Sequence, residues 1–147
     1  MPYVKPALAG AVVTDPAEVQ VEELRWKTVT ANALPGRFVK RDTTDSEIQL
    51  ATSGDTGVYG IVLLNPTKDS TVAAIAGEWA RVGHGAGNVV VGVYDFPVGG
   101  ALTKGDALYV GLTGKGYKAA GTDPTKLIGY AEETLTASGN IMIRLAK

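Results

Sequence analysis

The chain has 147 residues, 45% of them apolar and 20% charged, with 19 glycines, 7 prolines and no cysteine. That length suits one domain of roughly 100–200 residues, and the apolar share is enough to offset ordering entropy, which excludes a disordered chain. Lysine plus arginine (14) nearly balances aspartate plus glutamate (15), so no long-range field favours nucleic acid or an anionic membrane.

In chain order, the first stretch is MPYVKPALAGAVVTDP. It has no basic region before its apolar run and no cleavage site, and so reads as mature sequence. No apolar run in the chain approaches the ~18–20 residues of a membrane span, so a soluble protein is expected. Prolines at 2, 6 and 16 remove ladder donors and favour extended chain. Next, Asp15 can cap a helix, Pro16 suits its first position and Glu18 falls where a capping-box carboxylate would. That predicts a short helix over Pro16–Leu24, yet EVQVEELRW reads equally as an alternating strand, and both readings stand. Residues 1–30 are read as an extended N-terminal arm that a compact core does not require, and residues 31–147 as a β-rich core.

From Leu34 onward, strand-like runs follow one another: RFVKR, VYGIVLL, TVAAIAGEWARV, NVVVGVYDF, DALYVGL, KLIGYAEET and GNIMIRLAK. In the last, Ile141, Ile143 and Leu145 alternate with Asn140, Met142 and Arg144, the period-2 pattern of a half-buried strand. Turn chemistry separates the runs: SGDTG, NPTKDS, GHGAG, FPVGG, TGKG, GTDPT and ASGN. Short strands with turns every ~8–12 residues predict an all-β fold, a compact β-barrel or β-tulip-like domain.

The chain also repeats. LPGRFVKRDTTDSEIQLATSGDTGVYGIVLLNPT aligns with TKGDALYVGLTGKGYKAAGTDPTKLIGYAEETLT, placing Gly36 over Gly105, Phe38 over Leu108 and the SGDTG turn over GTDPT. VYGIVLL falls over LIGYAEE, each with a central glycine, Gly60 and Gly129. The pseudo-repeat spans 34–83 and 102–147, with NVVVGVYDF as connector.

No catalytic or cofactor constellation emerges. Around the single histidine, His84, the glycines of RVGHGAGN run GxGxG; a dinucleotide fingerprint needs GxGxxG ahead of a helix, and VVVGVY is a strand pattern. His84 as a general base would need an orienting carboxylate and a nucleophile that the local sequence does not supply. Without cysteine, disulfides, thiolate catalysis and thiolate metal sites are excluded. Asp42, Asp45 and Glu47 in RDTTDSE lack the central glycine and twelfth-position glutamate of a calcium loop. The uracil-pocket motifs of the trimeric dUTPases, a family of similar length and β-richness, do not occur. Neither enzyme activity, cofactor nor metal is expected.

The cassettes GRFVKRDTT, IQLATSGDTGVYGIVL, EWARVGHGAG, GGALTKGDALYVG and GKGYKAAGTDPTKLIGYAEE, closed by GNIMIRL, resemble those of the cement or head-decoration proteins of tailed-bacteriophage capsids over roughly Leu34–Lys147. The resemblance implies a homotrimer on the outer surface of the capsid, made in the host cytoplasm, whose partners are the major capsid protein and itself, with no nucleic acid and no membrane. It also implies an N-terminal arm that adds to or laces over neighbouring subunits. The residues expected at such contacts are Tyr3, Val4, Pro6, Leu8, Val12, Val13, Trp26 and His84. The alternative from another class is a carbohydrate-binding or adhesin-like β-sandwich using Trp79 and nearby tyrosines.

Overall fold

The computed structural model describes residues 5–14, 18–27, 30–42, 46–52, 58–95, 100–111, 113–118 and 127–147. The contact residues Tyr3 and Val4 and the SGDTG and GTDPT turns lie outside them. Among the described residues ten strands are formed: β1 (Gln20–Trp26), β2 (Phe38–Arg41), β3 (Glu47–Leu50), β4 (Val58–Val62), β5 (Trp79–His84), β6 (Val89–Tyr94), β7 (Ala107–Val110), β8 (Gly116–Tyr117), β9 (Leu127–Ala131) and β10 (Gly139–Leu145). The all-β expectation holds, but the strands close into two small barrels, in the orders β1-β3-β2-β4-β5 and β6-β8-β7-β9-β10.

The two orders are the same, strand for strand. Each barrel has one parallel pair, β1·β3 or β6·β8, and antiparallel pairs elsewhere. Each has a register irregularity at one place, between Val39 and Lys40 in one barrel and Leu108 and Tyr109 in the other. Val39 faces Gly60 and Leu108 faces Gly129, so in the matching registers of the two barrels Leu108 falls on Val39, not on Phe38. NVVVGVYDF is likewise no connector. It supplies β6, the counterpart of β1, and pairs with β10 along its whole length.

This makes β1 a barrel strand and settles the ambiguity of EVQVEELRW. Six residues, Gln20 to Arg25, pair with β5, while Leu24 and Trp26, two apart, turn into the first barrel's core. An isolated helix of that length is marginal in water, whereas the strand gains a ladder and buries an indole. The arm reading of residues 1–30 is therefore corrected at its C-terminal end, because removing β1 would open the barrel. Trp26 and its counterpart Tyr94 sit at the parallel pairs, opposite Ile48 and Gly116, and both are fully buried.

The barrels pack asymmetrically. The outer flank of β2 and β4, carrying Phe38, Val58 and Ile61, joins the second barrel's core cluster with Val90, Val110, Ile128 and Leu145. The Ile61 Cδ1 reaches within 3.6 Å of where a Cβ on Gly92 would stand. One flank of the first barrel thus stops one mouth of the second, each such buried side chain contributing about 1.5–3 kcal/mol. The GHGAG turn seals the joint: Gly85 and Gly87 N–H donate to the Lys147 and Leu145 carbonyls at 2.9 Å each. Both glycines have positive φ, 138° and 86°, which side chains rarely adopt. The loop is a hydrogen-bonded turn joining β5 to β6 and not a phosphate cradle.

Candidate interaction surfaces

Lys5–Thr14 turns at Ala9–Gly10 and folds back on its own chain. Val12 bridges Val90 in antiparallel fashion. Gly10 N–H donates to Val91 O at 2.7 Å, Val91 N–H to Ala11 O at 2.9 Å and Val13 N–H to Val89 O at 2.8 Å. Ala11 and Val13 cover Val89, Val91 and Met142, and Val12 packs on the main core. Gly10 O also accepts from Leu64 N–H in the first barrel at 3.0 Å, so the arm straps both barrels. Lys5 pairs with Glu133 at 3.0 Å. Pro6 is half-buried and Leu8 exposed. Of the expected arm contacts, then, Val12 and Val13 are engaged within the chain, and Leu8 presents its side chain outward.

His84 acquires partners that no local reading could supply. Its Nε2 lies 3.3 Å from Glu22 Oε1 and 3.4 Å from the Tyr59 hydroxyl. That hydroxyl donates a short hydrogen bond to the same Glu22 oxygen, and Arg41 donates to Glu22 Oε2 at 2.7 Å. The Arg41 guanidinium lies 4.5 Å over the Tyr59 ring. Four strands, β1, β2, β4 and β5, contribute one residue each. The bond from Tyr59, then His84 and Arg41, holds the Glu22 carboxyl below its ordinary value against a smaller opposing effect of burial. Burial first, and then Glu22, pushes the Tyr59 phenol up.

The repeat explains what this quartet is for structurally. The corresponding second-barrel positions hold Val90, Val110, Ile128 and Leu145, all buried. There the mouth is stopped by the neighbouring barrel. In the first barrel the same mouth meets solvent, and larger polar side chains fill it and satisfy one another.

Trp26 lies in the first barrel's core, 2% exposed, so its indole offers almost no surface to a partner. Its edge lines the floor of an open cleft of about 380 Å³ together with Ala33, Pro35, Leu63, Ile75 and Trp79. The cleft is walled by the connection 63–78 between β4 and β5, whereas the equivalent β9–β10 connection is only 132–138. On this extra chain Val72 and Ile75 are 65% and 70% exposed, and Trp79 beside them is 47% exposed. Arg25 stacks on Trp79 at 4.5 Å, and Lys68 pairs with Glu78 at the rim. Sequence reading passed over Val72 and Ile75 because TVAAIAGEWARV looks like one strand; the signal available was the excess length of this connection over its repeat. Asp42, considered for a cation, instead binds Lys27 at 2.7 Å and Gln49 at 2.6 Å, while Asp45 lies outside the described residues.

Among curated proteins, none matches this sequence. The fold is similar to that of a solved structure, the head fiber gp8.5 N base in bacteriophage phi29, at a TM-score of 0.51 and 16% identity, covering 87% of this chain and 94% of that one. The sequence model of the family described as structural cement protein (E217 gp24/Pam3 gp6) matches residues 1–146. With all but the last residue matched, the chain belongs to this family of phage structural cement proteins.

Proposed function

We propose that the protein binds the outer surface of a bacteriophage capsid as a homotrimer and stabilises the shell by contact, without catalysis. Membership of the cement family supports a structural place in the virion. The observation that carries the reading further is the 63–78 connection. The second repeat joins the equivalent strands with a much shorter segment, so the barrel does not need the extra chain, and that chain holds the exposed Val72 and Ile75 beside the exposed Trp79 of β5. Exposed apolar residues grouped beside tryptophan and arginine are the composition of an interaction hot spot. Three copies on a symmetric shell would multiply modest contacts through effective concentration. For the carbohydrate-binding alternative, Trp79 offers one ring face, the other being covered by Arg25.

Co-sedimentation with empty shells assembled from the major capsid protein tests the reading, alongside mass measurement in solution. Saturable binding and a mass three times 15.2 kDa are expected. A monomer at micromolar concentration would overturn the trimer, and absence of binding would overturn the capsid role.

A further inference from the structure

We propose that the outer edge of β1 is a strand-acceptor site that takes up an extended segment of a capsid subunit; this rests on the capsid-binding reading above. The argument begins with the alternation of a β-ladder, in which successive residues send their N–H and C=O groups to opposite neighbours. In β6, one side is paired with β10, and the groups of Val89 and Val91 face the other way. β8 reaches β6 only at Tyr94, so that edge would be open were it not covered by the chain's own Gly10–Thr14.

The first barrel has the same edge. The register of β1 on β5 puts Val21 where Val89 stands and Glu23 where Val91 stands. Trp26 N–H donates to Glu78 O just before β5, while Arg25 and Lys27 N–H donate to Ser46 O just before β3 and Ile48 O within it. By the same alternation the N–H and C=O of Val21 and Glu23 point away from β5. β3 pairs only with Arg25 and Trp26, and no described residue bonds to the main chain of Val21 or Glu23. Val21 is 41% exposed. Two donors and two acceptors in a row are a template for an added strand.

The occupant follows from the side chains flanking that edge. On β6 the arm lays Ala11 and Val13 on Val89, Val91 and Met142. The equivalent residues of the first barrel are Val21, Glu23 and Arg81. An arm from a second copy would set its apolar side chains on a carboxylate and a guanidinium, and it would also strip the strap from its own β6. The edge fits a strand with one apolar residue over Val21 and charged or hydrogen-bonding ones facing Glu23 and Arg81. It also shares a ladder with Trp79, which faces Arg25 across β1·β5, so an added strand would continue the apolar surface of Val72 and Ile75. On the capsid-binding reading, the occupant assigned is a coat-subunit segment of that pattern.

The test uses proline, which deletes an N–H. At Val21 and Glu23 that N–H serves no described partner, and the bonds of Gln20, Glu22 and Leu24 to β5 are spared. The full-length Val21→Pro/Glu23→Pro protein is expected to keep wild-type mass and melting behaviour and to lose at least about tenfold in affinity for empty shells. Val21→Thr, which keeps the N–H and alters only the side chain under the added strand, should lose clearly less affinity than the proline variant. Hydrogen exchange on the unmutated protein provides a readout should the proline variant fail to fold. The Val21 and Glu23 amides should exchange quickly in free protein and slow at least about tenfold on shells, while the Val91 amide stays slow in both. Shell binding with unchanged exchange at Val21 and Glu23 would overturn the edge site and leave the capsid reading intact. No shell binding by the wild type would overturn the capsid reading itself. Protection already present in free protein and growing with its concentration would overturn the coat-subunit assignment in favour of a second copy.

Discussion

Gly60 and Gly129 occupy the same place in the two barrels and meet the same obstacle. A Cβ on Gly60 would stand 2.5 Å from the carbonyl oxygen of Gly83 in β5, and one on Gly129 would press on the Arg144 carbonyl oxygen in β10. A backbone oxygen held in a ladder cannot move aside. Gly60→Ala and Gly129→Ala are therefore each expected to cost about 3 kcal/mol or more by overpacking. Gly116→Ala, whose Cβ would meet nothing nearer than Ile128 Cδ1 at 3.4 Å, should cost less than about 1 kcal/mol. Urea denaturation of the three variants checks the contrast.

Ile61 and Tyr130 are also repeat equivalents, yet the first is 0% and the second 42% exposed, because only the first barrel's flank is covered. Ile61→Ala should destabilise by about 2–5 kcal/mol. Tyr130→Ala should stay within about 1 kcal/mol of wild type. Equal losses at the two positions, measured by thermal unfolding, would contradict the asymmetric packing of the barrels.

The Glu22 carboxyl gives a pH dependence with a definite sign. Its folded value is lowered, chiefly by the Tyr59 hydroxyl and then by His84 and Arg41. Its contribution is present above the unfolded carboxylate value of about 4.3 and is lost as pH falls through the lower folded value. Glu22→Gln should thus be less stable than wild type at neutral pH, with the gap narrowing below about pH 4. Tyr59→Phe should narrow the same gap by removing the largest cause of the shift. Melting temperatures across pH 2–7 read both outcomes, and a gap independent of pH would refute the assignment.

On the exposed connection and at the start of β5, Ile75→Ala and Trp79→Ala should leave the melting temperature within a few degrees of wild type. Shell affinity should fall by at least about tenfold for Trp79→Ala, the stacked aromatic of the patch. Co-sedimentation at several protein concentrations separates this from a folding defect.

What the residues alone carry is local. Alternation in GNIMIRL and NVVVGVY, and glycine, asparagine and proline between runs, are imposed by the two-residue period of a strand and the φ angles of turns. These made the all-β class and the repeat readable. The one-residue slip between Phe38 and Val39 was not readable, because register is set by which side chain faces Gly60 across the sheet. Nor was the fate of EVQVEELRW, whose local pattern suits helix and strand alike until β5 supplies a ladder. His84 appeared alone because its carboxylate, Glu22, is 62 residues away in sequence. The sequence by itself determined that there would be strands, turns and two copies of one unit. The tertiary structure decided that one copy's flank would stop the other's mouth, and so which mouth is aliphatic, which is polar and which β-edge no described residue covers. Those outcomes depend on pairings between distant segments, and no local period encodes them.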